Sequence, residues 1–128
     1  MRIDFHASAA PTLGVEWELA LVDRTSRDLV NRASDLFAAA VPALPEPSRL
    51  HEELLRNTVE VVSGVCGTVE QAVDDLRATL GPVVTAADGL GVDLYGGGTH
   101  PFASWTHQQL TEGHRYAELI NRTQWWGR

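Results

Sequence analysis

Leu13-Gly14-Val15-Glu16-Trp17-Glu18-Leu19-Ala20-Leu21-Val22-Asp23 decides how the rest of this 128-residue chain is read. Leu13, Val15, Trp17, Leu19 and Leu21 fall on one side of an extended backbone. Gly14, Glu16, Glu18, Ala20 and Val22 fall on the other. Strand side chains alternate between faces, so the pattern predicts a strand with one face in a core. A second strand fits Thr58 to Ser63, with Val59 and Val61 on one face and Thr58, Glu60 and Val62 on the other. Leu90, Val92 and Leu94 suggest a third.

Helical signals lie between and beyond these strands. Ser34 or Asp35 can cap a short helix carrying Leu36, Phe37, Ala40 and Val41, which Pro42 and Pro45 then stop. Residues 42–49 are rich in proline and read as a loop. Thr68 and Gln71 form a capping-box pattern opening the longest helix. Val69, Val73, Leu76, Leu80, Val83, Val84 and Ala87 keep helical phase through Gly81-Pro82. One helix over about residues 69–88 with a proline kink is therefore expected, ended by Asp88-Gly89. Gly96-Gly97-Gly98-Thr99-His100-Pro101 reads as a loop, and a further helix runs from about Glu112 toward the C-terminus. Strands and helices mix without strict βαβ spacing. The expected class is α+β, an antiparallel sheet with packed helices.

Composition narrows the function classes. With 44% apolar and 21% charged residues, the chain reads as a soluble globular sequence of single-domain length. Ten basic against seventeen acidic residues give a net charge of −7, which argues against a nucleic-acid partner. Every basic residue is arginine, so Schiff-base chemistry and a phosphate-gripping P-loop lysine are excluded from this stretch. The single cysteine, Cys66, has no internal disulfide partner and suits a reducing compartment, with a buried small hydrophobe as its default role. No apolar run approaches the ~20 residues of a membrane span, and residues 1–10 lack the apolar stretch of a signal peptide. The expected location is the cytoplasm, with no membrane partner.

The residues that carry chemistry are carboxylates on strands. Glu16 and Glu18 project from one face with Cα atoms roughly 6.5–7 Å apart. Like charges so close repel unless a cation lies beside them. Glu60 is flanked by Val59, Val61 and Val62, and Glu53 lies seven residues earlier. Hard oxygen donors without clustered His or Cys suit Mg²⁺ or Mn²⁺. The same pattern also fits glutamates on the wet face of a sheet, and the spacing alone does not choose. His51-Glu52-Glu53 fails as a zinc-protease motif because residue 55 is Leu. His100, His107 and His114 are spaced by seven, but Pro101 breaks any common helix. The triple glycine lacks a dinucleotide or P-loop frame and reads equally as a tight turn.

Four blocks together resemble a known family. Thr12-Leu13-Gly14-Val15-Glu16-Trp17-Glu18-Leu19 resembles the opening strand of the type 2 glutamate–cysteine ligases, also called carboxylate–amine ligases. Val59-Glu60-Val61-Val62-Ser63-Gly64-Val65-Cys66 resembles the second acidic strand, and Gly96-Gly97-Gly98-Thr99-His100-Pro101-Phe102 the glycine loop. Arg115-Tyr116, followed by Arg122-Thr123-Gln124-Trp125-Trp126-Gly127-Arg128, is similar to the helix that comes next.

The resemblance implies a glutamine-synthetase-like, glutamate–cysteine ligase catalytic domain, with residues 1–128 its incomplete N-terminal portion. It implies ATP and two or more Mg²⁺ ions, and glutamate with an amine such as cysteine as small-molecule substrates. The side-chain carboxylate of glutamate would be phosphorylated, and the amine would displace phosphate to give an amide. Glu16, Glu18, Glu53 and Glu60 match the metal ligands of such an enzyme, and Thr99, His100 and Arg115 are candidates for substrate or phosphate contact. A homo-oligomer is compatible with the resemblance. Members of the family run on into a His-Val-His-Val-Gly strand, so part of the site is expected outside these residues. Two alternatives stand beside this one: a non-catalytic remnant or binding module that keeps the acidic sheet, and a ligase using another amine.

Overall fold

The alternation around Glu16 and Glu60 does produce paired strands. The computed structural model describes residues 9–123 and, within them, all side chains but those of His114, Arg115 and Thr123. The strands are β1 (Glu16–Asp23), β2 (Leu50–Glu52), β3 (Thr58–Val62) and β4 (Val92–Tyr95). They form one sheet in the order β2-β3-β1-β4, with every neighbouring pair antiparallel. The helices are α1 (Ala33–Ala40), α2 (Val69–Leu90) and α3 (His114–Thr123). This is the expected α+β class.

One face of the sheet makes the core. Leu19 and Leu21 of β1, Leu50 of β2, Val59 and Val61 of β3 and Val92 of β4 are buried with Leu36 and Ala40 of α1 and Val83 and Ala87 of α2. Removing that apolar surface from water is the main force holding the helices on the sheet. Trp17 shares this side but stays 40% exposed. Its indole lies against Gly96, where an added Cβ would come within 2.9 Å of the indole Nε1. That close approach accounts for glycine at the start of the loop.

Several boundaries differ from the expectations. The regular part of β1 starts at Glu16 and not at Leu13. Glu16 pairs with Val62, yet Leu13 pairs with Cys66, so residues 63–65 face only residues 14–15. The extra residue breaks the ladder as a β-bulge does. Ser63 spans the break: its N–H donates to the Val15 carbonyl at 2.8 Å and its Oγ accepts from the Val15 N–H at 2.9 Å. The Asp75 carboxylate of α2 accepts from the Gly64 N–H at 2.7 Å, pinning the bulge to the helix.

Neither Ser34 nor Asp35 caps α1. The helix begins at Ala33, two residues earlier than a Ser34 cap would set it, without a side-chain cap, and the Arg56 carbonyl accepts from the Ala33 N–H at 2.8 Å. A tertiary contact takes the place of a local cap, which sequence periodicity cannot register. The proline-rich segment folds as two 3₁₀ turns, residues 41–43 and 47–49, and the short strand β2 that follows is unexpected.

The long helix is single, as its phase implies. Thr68 Oγ1 accepts from the Gln71 N–H at 3.2 Å, but the Gln71 side chain accepts from Gly67 and not from Thr68. Proline's ring clashes with the N–H and the Cβ of the residue before it, and here that residue is Gly81, which has no Cβ. The helix therefore continues through Pro82 and ends at Leu90, two residues beyond the expected stop. Gly91 closes it with φ of 69°, a left-handed conformation that glycine adopts without a Cβ penalty. Leu90 thus belongs to the helix, and the third expected strand begins at Val92. The helix expected from Glu112 starts at His114; Trp125 and Trp126 lie outside the described residues.

Candidate active site

The register assembles the acidic residues on the sheet face opposite the core. Glu18 lies directly across from Glu60 on β3, and His51 of β2 lies across from Glu60 on its other side. Glu16, two residues from Glu18, shares that face by strand alternation. Glu53 is in the reversal between β2 and β3, where its N–H donates to the Thr58 carbonyl at 3.3 Å.

An open cleft of about 340 Å³ is lined by Glu16, His51, Glu52, Glu53, Glu60 and Tyr116. A second, of about 700 Å³, continues past Glu16, His51 and Glu60 toward Gly14 and Ser63. Three of the four expected metal ligands, Glu16, Glu53 and Glu60, therefore share one cleft. Glu18 is exposed beside it and lines neither.

Electrostatics single out Glu60. Partial burial pushes its carboxyl above the ordinary 4.5, and Glu53, Glu16 and, least, Glu18 push it the same way while His51 opposes them. Burial and like charge both disfavour the ionised form. Among the described residues no arginine lines either cleft, and the sequence has no lysine to supply the counter-charge. The arginines with described side chains are engaged elsewhere: Arg24 and Arg27 with Asp93, Arg32 with Asp35, Arg49 with Glu46, Arg56 with Gln109, Arg77 with Asp74 and Arg122 with Glu118.

Such a donor set suits a hard divalent cation. Among the described residues no three His, Cys, Asp or Glu side chains are gathered tightly enough to hold a metal unaided. These residues could therefore offer any one ion only one or two carboxylates, leaving water or a substrate oxygen to complete the shell of a cation such as Mg²⁺.

The other expected residues separate from this cluster. Thr99 and His100 line a different cleft of about 230 Å³, floored by Ala20 and Thr58. That pair lies two residues along the same ladder from Glu18–Glu60, and this cleft shares no lining residue with the acidic ones. His100 is occupied internally. Its Nδ1 accepts from the Ala103 N–H at 3.1 Å, so Nε2 carries the proton donated to the Arg27 carbonyl at 3.0 Å. Its ring also packs edge-on against Tyr95 and Phe102. The imidazole fixes the glycine loop, a sufficient reason for its presence. The Arg115 side chain lies outside the described residues. His51 and Tyr116 were not expected at the site. Only the pairing of β2 puts His51 beside Glu60, and a three-residue strand leaves little periodic signal.

Comparison with known proteins bears on this geometry. The family model of the glutamate-cysteine ligase family 2 matches residues 12–128. The chain belongs to that family. It is 75% identical to a Nocardioides protein named "Putative glutamate--cysteine ligase 2-3", over all of this chain and 34% of the relative. It is 58% identical to a Mycobacterium ulcerans protein named "Putative glutamate--cysteine ligase 2", over 99% of this chain and 31% of that protein. A third such protein, from Mycolicibacterium paratuberculosis, is 57% identical over 99% of this chain and 33% of its own length. The chain thus spans about a third of the length of these curated relatives. Within the glutamate–cysteine ligase family 2 chain, the acidic cleft lies wholly inside the matched region. Among the described residues no helix is long and apolar enough to cross a membrane.

Proposed function

We propose that a protein of the relatives' length carrying these residues is an ATP-dependent carboxylate–amine ligase. It would join glutamate to cysteine as γ-glutamylcysteine, with release of ADP and phosphate. The observation that carries this reading is the convergence of Glu16, Glu53 and Glu60 on one cleft that contains no arginine among the described residues, in a member of the glutamate–cysteine ligase family 2.

The roles follow from charge. Glu16, Glu53 and Glu60 would share the binding of Mg²⁺, each ion taking one or two of these carboxylates and completing its shell with water and substrate phosphate, with Glu18 at the edge of the same field. The bound ion would neutralise phosphate oxygens as the phosphoryl group leaves ATP for the glutamate γ-carboxylate. The amine nitrogen then attacks the γ-carbonyl carbon of the acyl phosphate, phosphate departs, and the nitrogen loses a proton. Glu60 is suited to its place because its ionised form is repelled by its neighbours, so a cation is more strongly favoured there than beside an isolated carboxylate. The cleft at Thr99 lies beside the same two strands, and a substrate bound there would have to extend along β1 and β3 to bring its reacting end to the acidic row.

The test is phosphate release by the relatives'-length protein supplied with glutamate, ATP, Mg²⁺ and a panel of amines. Cysteine-dependent release is expected. Glu16→Gln and Glu60→Gln should each lower the rate about 100-fold or more, because a metal clamp on a transferring phosphoryl group contributes several kcal/mol. Unchanged rates in both variants would show that these carboxylates do not hold the metal.

A further inference from the structure

Glu53 differs from the other acids of the cleft in what supports it. Glu16 and Glu60 stand on ladder-bonded strands, whereas Glu53 lies in an irregular reversal just beyond β2. Its carboxylate also accepts from the N–H of its own neighbour Leu54 at 3.2 Å, so the position of the side chain follows that of this short stretch of backbone.

That stretch is held by a distant part of the chain. The Tyr116 hydroxyl donates to the Glu52 carbonyl at 2.8 Å. The Thr111 hydroxyl donates to the Glu53 carbonyl at 2.5 Å. The Thr111 N–H donates to the Leu54 carbonyl at 2.9 Å. Three consecutive carbonyls, Glu52, Glu53 and Leu54, are thus each held by residues 111–116. Thr111 is buried, so its hydroxyl has little water as an alternative partner, and Tyr116 lines the acidic cleft itself.

We propose that Thr111 and Tyr116 are positioning residues for the metal site: they fix the backbone of Glu53 so that its carboxylate joins Glu16 and Glu60. The inference rests on the metal-binding reading above and adds residues that lie in none of the acidic strands. Groups that orient a ligand without touching the ion alter metal affinity by about 10–100-fold when removed.

The experiment is a Mn²⁺ titration of the relatives'-length protein without nucleotide, followed by electron paramagnetic resonance of the free ion. Thermal melting of the metal-free form is recorded alongside. Thr111→Val and Tyr116→Phe should each weaken Mn²⁺ binding about tenfold or more, and Thr111→Ser, which restores the hydroxyl, should bind as the parent does. Glu53→Gln serves as the reference for loss of the ligand. If Glu53→Gln weakens Mn²⁺ while Thr111→Val and Tyr116→Phe bind normally and only melt lower, the two residues are merely structural and the inference falls while the metal reading stands. If Glu53→Gln and Glu60→Gln both bind Mn²⁺ normally, the metal reading falls and takes the inference with it. Tyr116→Phe removes one oxygen atom and keeps the ring, so it decides the matter should Thr111→Val not fold.

Discussion

At Glu60 a single carboxyl carries three influences at once: valine neighbours in sequence, partial burial, and the fields of Glu53, Glu16 and Glu18. Burial and the fields of Glu53, Glu16 and Glu18 raise its pKa from the ordinary 4.5 against the opposing effect of His51, so the folded protein binds this proton more tightly than the unfolded chain does. The stability from that proton is fully present below the unfolded value and is lost as pH rises through the raised folded value. The metal-free protein should therefore melt progressively lower as pH increases from about 4.5 toward neutrality. Glu60→Gln should melt higher than the parent at pH 7 and show a flatter profile in the same window. Calorimetry across that range in a chelator checks it; a variant less stable than the parent at pH 7 would mean that Glu60 makes a favourable contact outweighing the repulsion. The sequence carried part of this. Charge beside valine marked Glu60 as unusual, and alternation put Glu16 and Glu18 on one face. His51, Thr111 and Tyr116 were not legible, because each reaches the site through pairing or hydrogen bonds between distant segments, and these leave no local periodicity.

Among the elements, α2 shows how far local rules extend. Thr68 caps its first turn, as residue type implies, and Gly91 its last, two residues beyond the glycine at which the sequence pattern sets the stop. Thr68→Ala should cost about 1 kcal/mol by leaving the Gln71 N–H without its acceptor. Gly91→Ala should cost about 1–2 kcal/mol by placing a Cβ in the left-handed region. The two sites are separated by a helix of 22 residues, or about 33 Å, so their effects should add in the double variant. Chemical denaturation of the three variants measures this, and a double variant no worse than either single would indicate that α2 frays independently of the sheet. By contrast α1 was legible as a helix but not in its start, since the Arg56 carbonyl supplies the cap from another segment. The bulge opposite Gly14 and Val15 was hidden for a related reason. Leu13 and Val15 keep the alternation even though the extra residue lies on the partner side.

For the molecule as a whole, the sheet divides the work between its faces: one buries the apolar residues under α1 and α2, the other presents the acids. The acidic face is one wall of a site, and the family relatives are about three times as long as this chain. Around that wall, large apolar side chains are left in water. Trp105 is 73% and Phe102 63% exposed, and Val65 in the bulge and Val69 at the start of α2 are also exposed. β4 is an edge strand of the described sheet, and edges with apolar surroundings invite pairing between copies. The 128 residues produced alone should therefore self-associate, giving light-scattering masses above 14.0 kDa that rise with concentration. Phe102→Ser combined with Trp105→Ser should shift the distribution toward monomer without lowering the melting temperature, because neither side chain belongs to the buried cluster. A sharp monomeric elution of the parent with cooperative melting would show instead that α1, α2 and the sheet suffice to hold this segment folded and separate.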